Sequence, residues 1–169
     1  MSVSLSQSRA VPAAIKWYLL AVLVIVLDQW TKVLALRLLD YGEPLTITGF
    51  FNLTLLYNKG AAFSLLSDAG GWQHWLFITI AAVVAVVLAV WLCRLPREAR
   101  LEPLALALVL GGAIGNLIDR LRLGHVVDFI QLHYRELYWP AFNVADSAIT
   151  LGVVLLIFMT LRGDAPERP

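Results

Sequence analysis

The chain has 169 residues, of which 60% are hydrophobic and 15% charged, with a formal net charge of +1 and a mean hydropathy of +0.77. A soluble domain of this length cannot hide so much apolar surface, so the composition reads as an integral membrane protein, and the near-neutral charge gives no support to nucleic-acid binding. A single cysteine, Cys93, excludes an internal disulfide or a cysteine-rich metal site, and His74, His125 and His133 are too scattered to suggest zinc.

Four stretches reach the roughly 20 residues that a helix needs to cross a hydrocarbon core of about 30 Å. They are placed at 17–36, 72–93, 101–119 and 141–161. In the first, the apolar core has the length of a signal peptide, but Asp28-Gln29-Trp30-Thr31-Lys32 is no small-x-small cleavage site, so an uncleaved span is expected. Asp28 and Lys32, at i and i+4, are expected to pair or to snorkel outward in a structural role. Between the first two spans, residues 45–57 are rich in Thr, Ile, Phe and Leu with a break at Gly49, which predicts two short strands within a β-rich loop at about 40–66. Tyr57-Asn58-Lys59-Gly60 then reads either as an ordinary turn or as a loop whose Asn58 amide is offered to a peptide backbone.

The second span is uncharged from Trp72 to Cys93, and Cys93 reads as an apolar residue at its end. The seven-residue linker that follows holds Arg94, Arg97 and Arg100. With Arg9, Lys16, Arg162 and Arg168 in the terminal segments, the positive-inside bias predicts cytoplasmic termini (1–16 and 162–169), a cytoplasmic arginine linker, and both large loops on the outer side. The tail reads as disordered. The third span opens with Glu102 and Pro103 and carries Gly111, Gly112 and Gly115. Proline is tolerated in a first helical turn, and Gly111 and Gly115 read as a small-xxx-small packing face. Asn116 and Arg120 share a face one turn apart, and Arg120 could either neutralise a buried carboxylate or orient a substrate backbone.

Two aspartates carry the strongest functional signal. Asp128 lies in Val126-Val127-Asp128-Phe129, read as a loop or helix-start region, and Asp146 in Phe142-Asn143-Val144-Ala145-Asp146-Ser147 of the last span. A carboxylate at a helix centre in the bilayer costs roughly 2.5–3.5 kcal/mol on insertion scales, so each is a functional candidate. With a helix start marked by Pro140, Asn143, Asp146 and Ser147 would share one face, Asp146 only about 8 Å below that start and so near the outer interface. An interfacial aspartate satisfied by water is the plain alternative for Asp146, and an ordinary loop aspartate for Asp128.

Asn58-Lys59-Gly60-Ala61-Ala62-Phe63, the Gly111–Arg120 block, Val126–Phe129 and Phe142–Ser147 occur in the order and spacing of the prolipoprotein signal peptidase family, also called signal peptidase II, which the chain resembles over residues 15 to 162. The resemblance implies an all-α polytopic bacterial inner-membrane protein with four spanning helices (17–161), a small extracytoplasmic β-rich loop domain and a site near the outer face. It implies an aspartyl endopeptidase that cuts diacylglyceryl-modified prolipoproteins just before the modified cysteine, sensitive to the cyclic peptide globomycin. Asp128 and Asp146 would be the catalytic dyad. Asn58, Asn116, Arg120 and Asn143 would support the dyad or the substrate, and Gly60 would shape the adjacent loop. No metal or cofactor is implied, and the partners would be the lipidated precursor and membrane lipid, met by a monomer. Chemically, two close carboxylates sharing one proton can activate water. The competing readings are a proton-coupled transporter using the same carboxylates as a relay, and a presenilin-type protease, which would keep both aspartates in spanning helices.

Overall fold

A computed structural model of the chain describes residues 11–60 and 72–162. Ala61-Ala62-Phe63, the end of the expected β-rich loop, and most of both terminal segments lie outside them. The chain runs α1 (Val11–Leu38), β1 (Pro44–Thr48), β2 (Phe51–Asn58), α2 (Trp72–Arg94), α3 (Leu101–Leu123), β3 (Val126–Tyr134), β4 (Leu137–Tyr138) and α4 (Val144–Arg162). All four helices are long and apolar enough to cross a membrane.

The bundle is built around α3, which packs on each of the other three helices. Sixty-one per cent of its most apolar window is buried, against 17–28% for the other spans. Its small residues explain this, because backbones approach closely only where no side chain intervenes. A Cβ at Gly111 would lie 2.8 Å from the Ala21 carbonyl oxygen of α1, and one at Gly112 would strike the Ala145 carbonyl of α4. Gly152 on α4 answers from the other side, against Ala105 and Val109. The packing role read for Gly111 and Gly115 is what the structure shows. Leu88 and Leu92 of α2 and Leu106 and Leu110 of α3 form the core at the other end. Large apolar side chains such as Leu19, Leu23, Val86 and Val154 point outward, as they must where the surrounding solvent is lipid. Cys93, read as an apolar helix-end residue, is exposed and 2.8 Å from the Tyr18 hydroxyl.

The two large loops merge into one antiparallel sheet of order β1-β2-β3-β4. The hairpin β1–β2 matches the expected pair of strands. Its partner β3 corrects the expectation of a loop or helix start around Asp128: Val126–Tyr134 is a nine-residue strand. Ile130, Leu132 and Tyr134 alternate with Gln131 and His133, which is the period of a strand with two unlike faces. At Gly124, in the left-handed conformation (φ 78°), α3 is capped and the chain turns into β3. A second correction concerns α4, which begins at Val144 and not near Pro140. The preceding residues are extended because Phe142 bridges to β3: its N–H donates to the Ile130 carbonyl (3.0 Å) and its carbonyl accepts the Ile130 N–H (2.9 Å). That bridge fixes the start of α4 beside Asp128.

Candidate active site

Asp128 sits on β3 opposite Leu56, where β2 places two residues, Thr54 and Leu55, against the single Phe129 of its partner. Such a bulge re-aims side chains and is common beside active sites. Asp128 is 2% exposed. Its carboxyl is pushed up to about 7, first by burial and then by the negative charge of Asp146. Hydrogen bonds from Asn58 and Asn143 and the charge of Lys32 pull in the opposite direction without prevailing.

Asp146 is the third residue of α4, so it lies about 3 Å along the helix from Val144 and shallower than an earlier helix start would place it. Asn143 is therefore the residue that caps the helix, not a member of its first face. Its side-chain oxygen accepts the Asp146 N–H (2.9 Å), while its own N–H donates to Asp146 Oδ2 (3.2 Å). This is a reciprocal capping box with an aspartate in the position more often held by Glu or Gln. Asn143 joins the two carboxylates: its side-chain nitrogen donates to Asp128 Oδ1 at 2.7 Å, and also to the Val127 carbonyl, while its backbone N–H holds the Asp146 carboxylate. Asn143 is fully buried.

Asn116 completes the centre from α3, its Nδ2 donating to Asp146 Oδ1 at 2.7 Å. Asn58 at the end of β2 contacts Asp128 and also accepts the Gly60 N–H at 2.8 Å. Gly60 has φ 88°, and a Cβ there would collide with the Phe77 ring, so position 60 needs glycine on both counts. Arg120 makes no ion pair within 4.0 Å among the described residues. Its guanidinium lies 5.6 Å from the Phe77 ring centre and feels Asp146, Asp128 and Asp119 through space. The structure thus brings Asp128, Asp146, Asn58, Asn116 and Asn143 to one place, with Arg120 and Gly60 at its margin.

Sequence reasoning missed the layer behind them. Lys32 does not snorkel: it is 2% exposed, and Nζ lies 2.9 Å from Asp28 Oδ2, Asp119 Oδ2 and Asn116 Oδ1. Asp28 Oδ1 accepts the Ala145 N–H of α4 (2.9 Å), and Asp119 Oδ2 accepts the Val127 N–H of β3 (3.1 Å). The i, i+4 spacing of Asp28 and Lys32 was visible, but their partners 84 and 117 residues away were not.

Beside Asp146 opens a cavity of about 1030 Å³, lined by Asn58, Trp139 and the α4 face Ser147, Thr150, Leu151 and Val154. It is a mainly apolar trough with carboxylate and amide groups at one end.

Known proteins match the chain over most of its length. The family model described as signal peptidase (SPase) II matches residues 20–162. Lipoprotein signal peptidases from Teredinibacter turnerae and Acinetobacter baylyi are 57% and 53% identical, covering 89% and 88% of this chain and 90% and 83% of their own lengths. That of Cellvibrio japonicus is 54% identical and covers 90% of this chain and 92% of its own. Among solved structures, a bacterial membrane enzyme determined by the in meso method at 2.3 Å superposes with a TM-score of 0.77 at 32% identity, covering 90% of this chain and 92% of the other. None of these lends support to a transporter. A match across this much of the chain leaves one assignment: the protein belongs to the signal peptidase II family of bacterial membrane peptidases.

Proposed function

We propose that the protein removes the signal peptide from lipid-modified prolipoproteins as an aspartyl endopeptidase, with Asp128 and Asp146 as its dyad, cutting just before the diacylglyceryl-cysteine. The observation that carries the aspartyl reading is Asn143, whose side-chain amide donates to the strand carboxyl of Asp128 while its backbone N–H donates to the helix carboxyl of Asp146, so that one residue joins the two. Two carboxylates so close cannot both ionise cheaply, so the pair holds one proton. The surroundings favour Asp128 as its holder: that carboxyl is pushed up to about 7 by burial and by Asp146. Asp146 instead accepts hydrogen bonds on both oxygens at a helix N-terminus, a setting that suits an anion. Asp146 takes a proton from a bound water, which attacks the scissile carbonyl. Asp128 donates to the carbonyl oxygen, and the dyad then returns a proton to the leaving amine.

Location supports the substrate assignment. The polar centre lies at the sheet end of the bundle, opposite the linker bearing Arg94, Arg97 and Arg100. With that linker and both termini cytoplasmic, the centre faces the outer leaflet. A lipidated cysteine keeps its acyl chains in the bilayer and its peptide bond at the interface, the level of Asp146, and the apolar trough along α4 accommodates the flanking chain. The protein acts in this reading as a monomer in contact with membrane lipid. Purified protein is expected to release signal peptide from diacylglyceryl-modified precursor at least tenfold faster than from the unlipidated form. Equal rates in a gel-shift assay would remove lipid placement from the account.

A further inference from the structure

We infer that Lys32 is a positioning residue for the dyad: acting through Asn116, it fixes which atom of that amide faces Asp146. The inference deepens the aspartyl reading and rests on it.

Lys32 touches neither catalytic candidate. Its ammonium has three donors, and the structure spends all three on Asp28, Asp119 and the Asn116 side-chain oxygen. The third is the informative one. An asparagine amide can face either way, and here its oxygen accepts from Lys32 (2.9 Å) and from Asn143 Nδ2 (3.2 Å). With the oxygen held by a cation, only the Nδ2 end is left for Asp146, at 2.7 Å. Were the amide to turn over, its oxygen would face the Asp146 carboxylate, an acceptor against an acceptor. Lys32 thus holds a donor on the residue that must be ionised to activate water. A charge-assisted bond of this kind is roughly twice as strong as a neutral one.

The two flanking carboxylates connect Lys32 to the elements that bear the dyad. Asp28 holds the second residue of α4, Ala145, and Asp119 holds Val127, the neighbour of Asp128. Gly115 is what lets α1 come so near: a Cβ there would lie 2.6 Å from Asp28 Oδ2. A purely structural triad would satisfy its own charges and need no link to Asn116. This one sends its third hydrogen bond into the site.

The test reads kcat, KM and the pH profile of cleavage of lipidated precursor by Asp119→Asn and by Asp119→Asn/Lys32→Met. The double substitution removes one charge of each sign and so leaves no uncompensated carboxylate at Asp119. The charged groups acting on Asp128 are Asp146 on α4, Lys32 on α1 and Arg120 on α3; Asp28 and Asp119 face Lys32, and His125 feels Asp119 and Lys59. Of these, only Lys32 differs between the two variants. Losing it is expected to lower kcat about tenfold or more, leave KM within about twofold, and move the alkaline limb upward by about one pH unit or less. A double variant matching Asp119→Asn in both kcat and limb would overturn the inference. Because the double variant leaves Asp28 without its partner, Asp28→Asn/Asp119→Asn is compared with Asp28→Asn/Lys32→Met/Asp119→Asn as well, a pair without a buried carboxylate in the triad that is read by the same two quantities. Asp128→Asn and Asp146→Asn run alongside: if they cleave, the aspartyl reading itself falls, whereas if they are inert and Lys32 has no effect, only the inference falls.

Discussion

Asp128→Asn and Asp146→Asn are each expected to lower kcat by about 10³-fold or more, equivalent to about 4 kcal/mol of transition-state stabilisation. Asparagine keeps the shape of aspartate and removes the titratable proton. At position 128 asparagine leaves one oxygen for the donors Asn58 and Asn143, a cost of about 1 kcal/mol that the gain at high pH outweighs. The folded state holds the Asp128 carboxyl at about 7, against an ordinary value of 3.8. A raised carboxyl means that the folded protein binds more protons than the unfolded chain between those values, so this group's contribution to stability declines as pH rises through that window. Asp128→Asn removes that penalty and is expected to unfold at the same temperature as wild type at pH 8, or higher. Position 146 bears a similar loss. Asp146 accepts on both oxygens, from Asn116 and from the Asn143 N–H, and asparagine has only one oxygen, so one donor is left unmatched at a cost of about 1 kcal/mol. Thermal unfolding alongside the cleavage assay separates loss of chemistry from loss of fold.

Asn143→Ala is expected to damage both fold and activity. The side chain caps α4 through the Asp146 N–H, a role worth about 1 kcal/mol, and it donates to Asp128, Val127 and Asn116 from a fully buried position. Removing it leaves the Val127 carbonyl and Asp128 Oδ1 with a partner fewer, adding about 1–3 kcal/mol. The loosened joint between the carboxylates should lower kcat by about 10²-fold. Asn143→Asp, which retains an oxygen for the cap but places a third acid against the dyad, is expected to restore part of the thermal stability and none of the activity. Recovery of activity by Asp at 143 would show that the amide donor to Asp128 is dispensable.

Much of the site was legible in the chain because membrane depth makes polar residues expensive. Asp128, Asp146, Asn116 and Asn143 stood out for that reason, and they meet. Four spans were readable from apolar length, and the hairpin from its β-branched residues and Gly49. The errors share a cause. β3 and the late start of α4 depend on each other through the Phe142–Ile130 bridge, a tertiary contact that overrides what Pro140 suggests locally. Asn143 was assigned to a helix face for the same reason, although Asn followed three residues later by Asp is itself a capping signature. For Lys32 the i, i+4 spacing offers only a pair with Asp28, which forms, or an outward course, which it does not take. Its inward course depends on Gly115 leaving room on α3 for Asp28. The packing face on α3 was legible in kind, as small residues four apart. Its consequence, that α3 is the most buried helix of the four, follows only once three neighbours are in place.

The central claim is that Asp128 and Asp146 share one proton in the active enzyme, and the pH dependence of kcat/KM for cleavage of lipidated precursor tests it most directly. A bell-shaped profile is expected. Activity should fall on the alkaline side as pH rises through about 7, where Asp128 gives up its proton, and fall again in acid as the pair takes up its second proton. A rate independent of pH between about 5 and 9, with protein that stays folded throughout, would contradict the shared proton and with it the aspartyl mechanism.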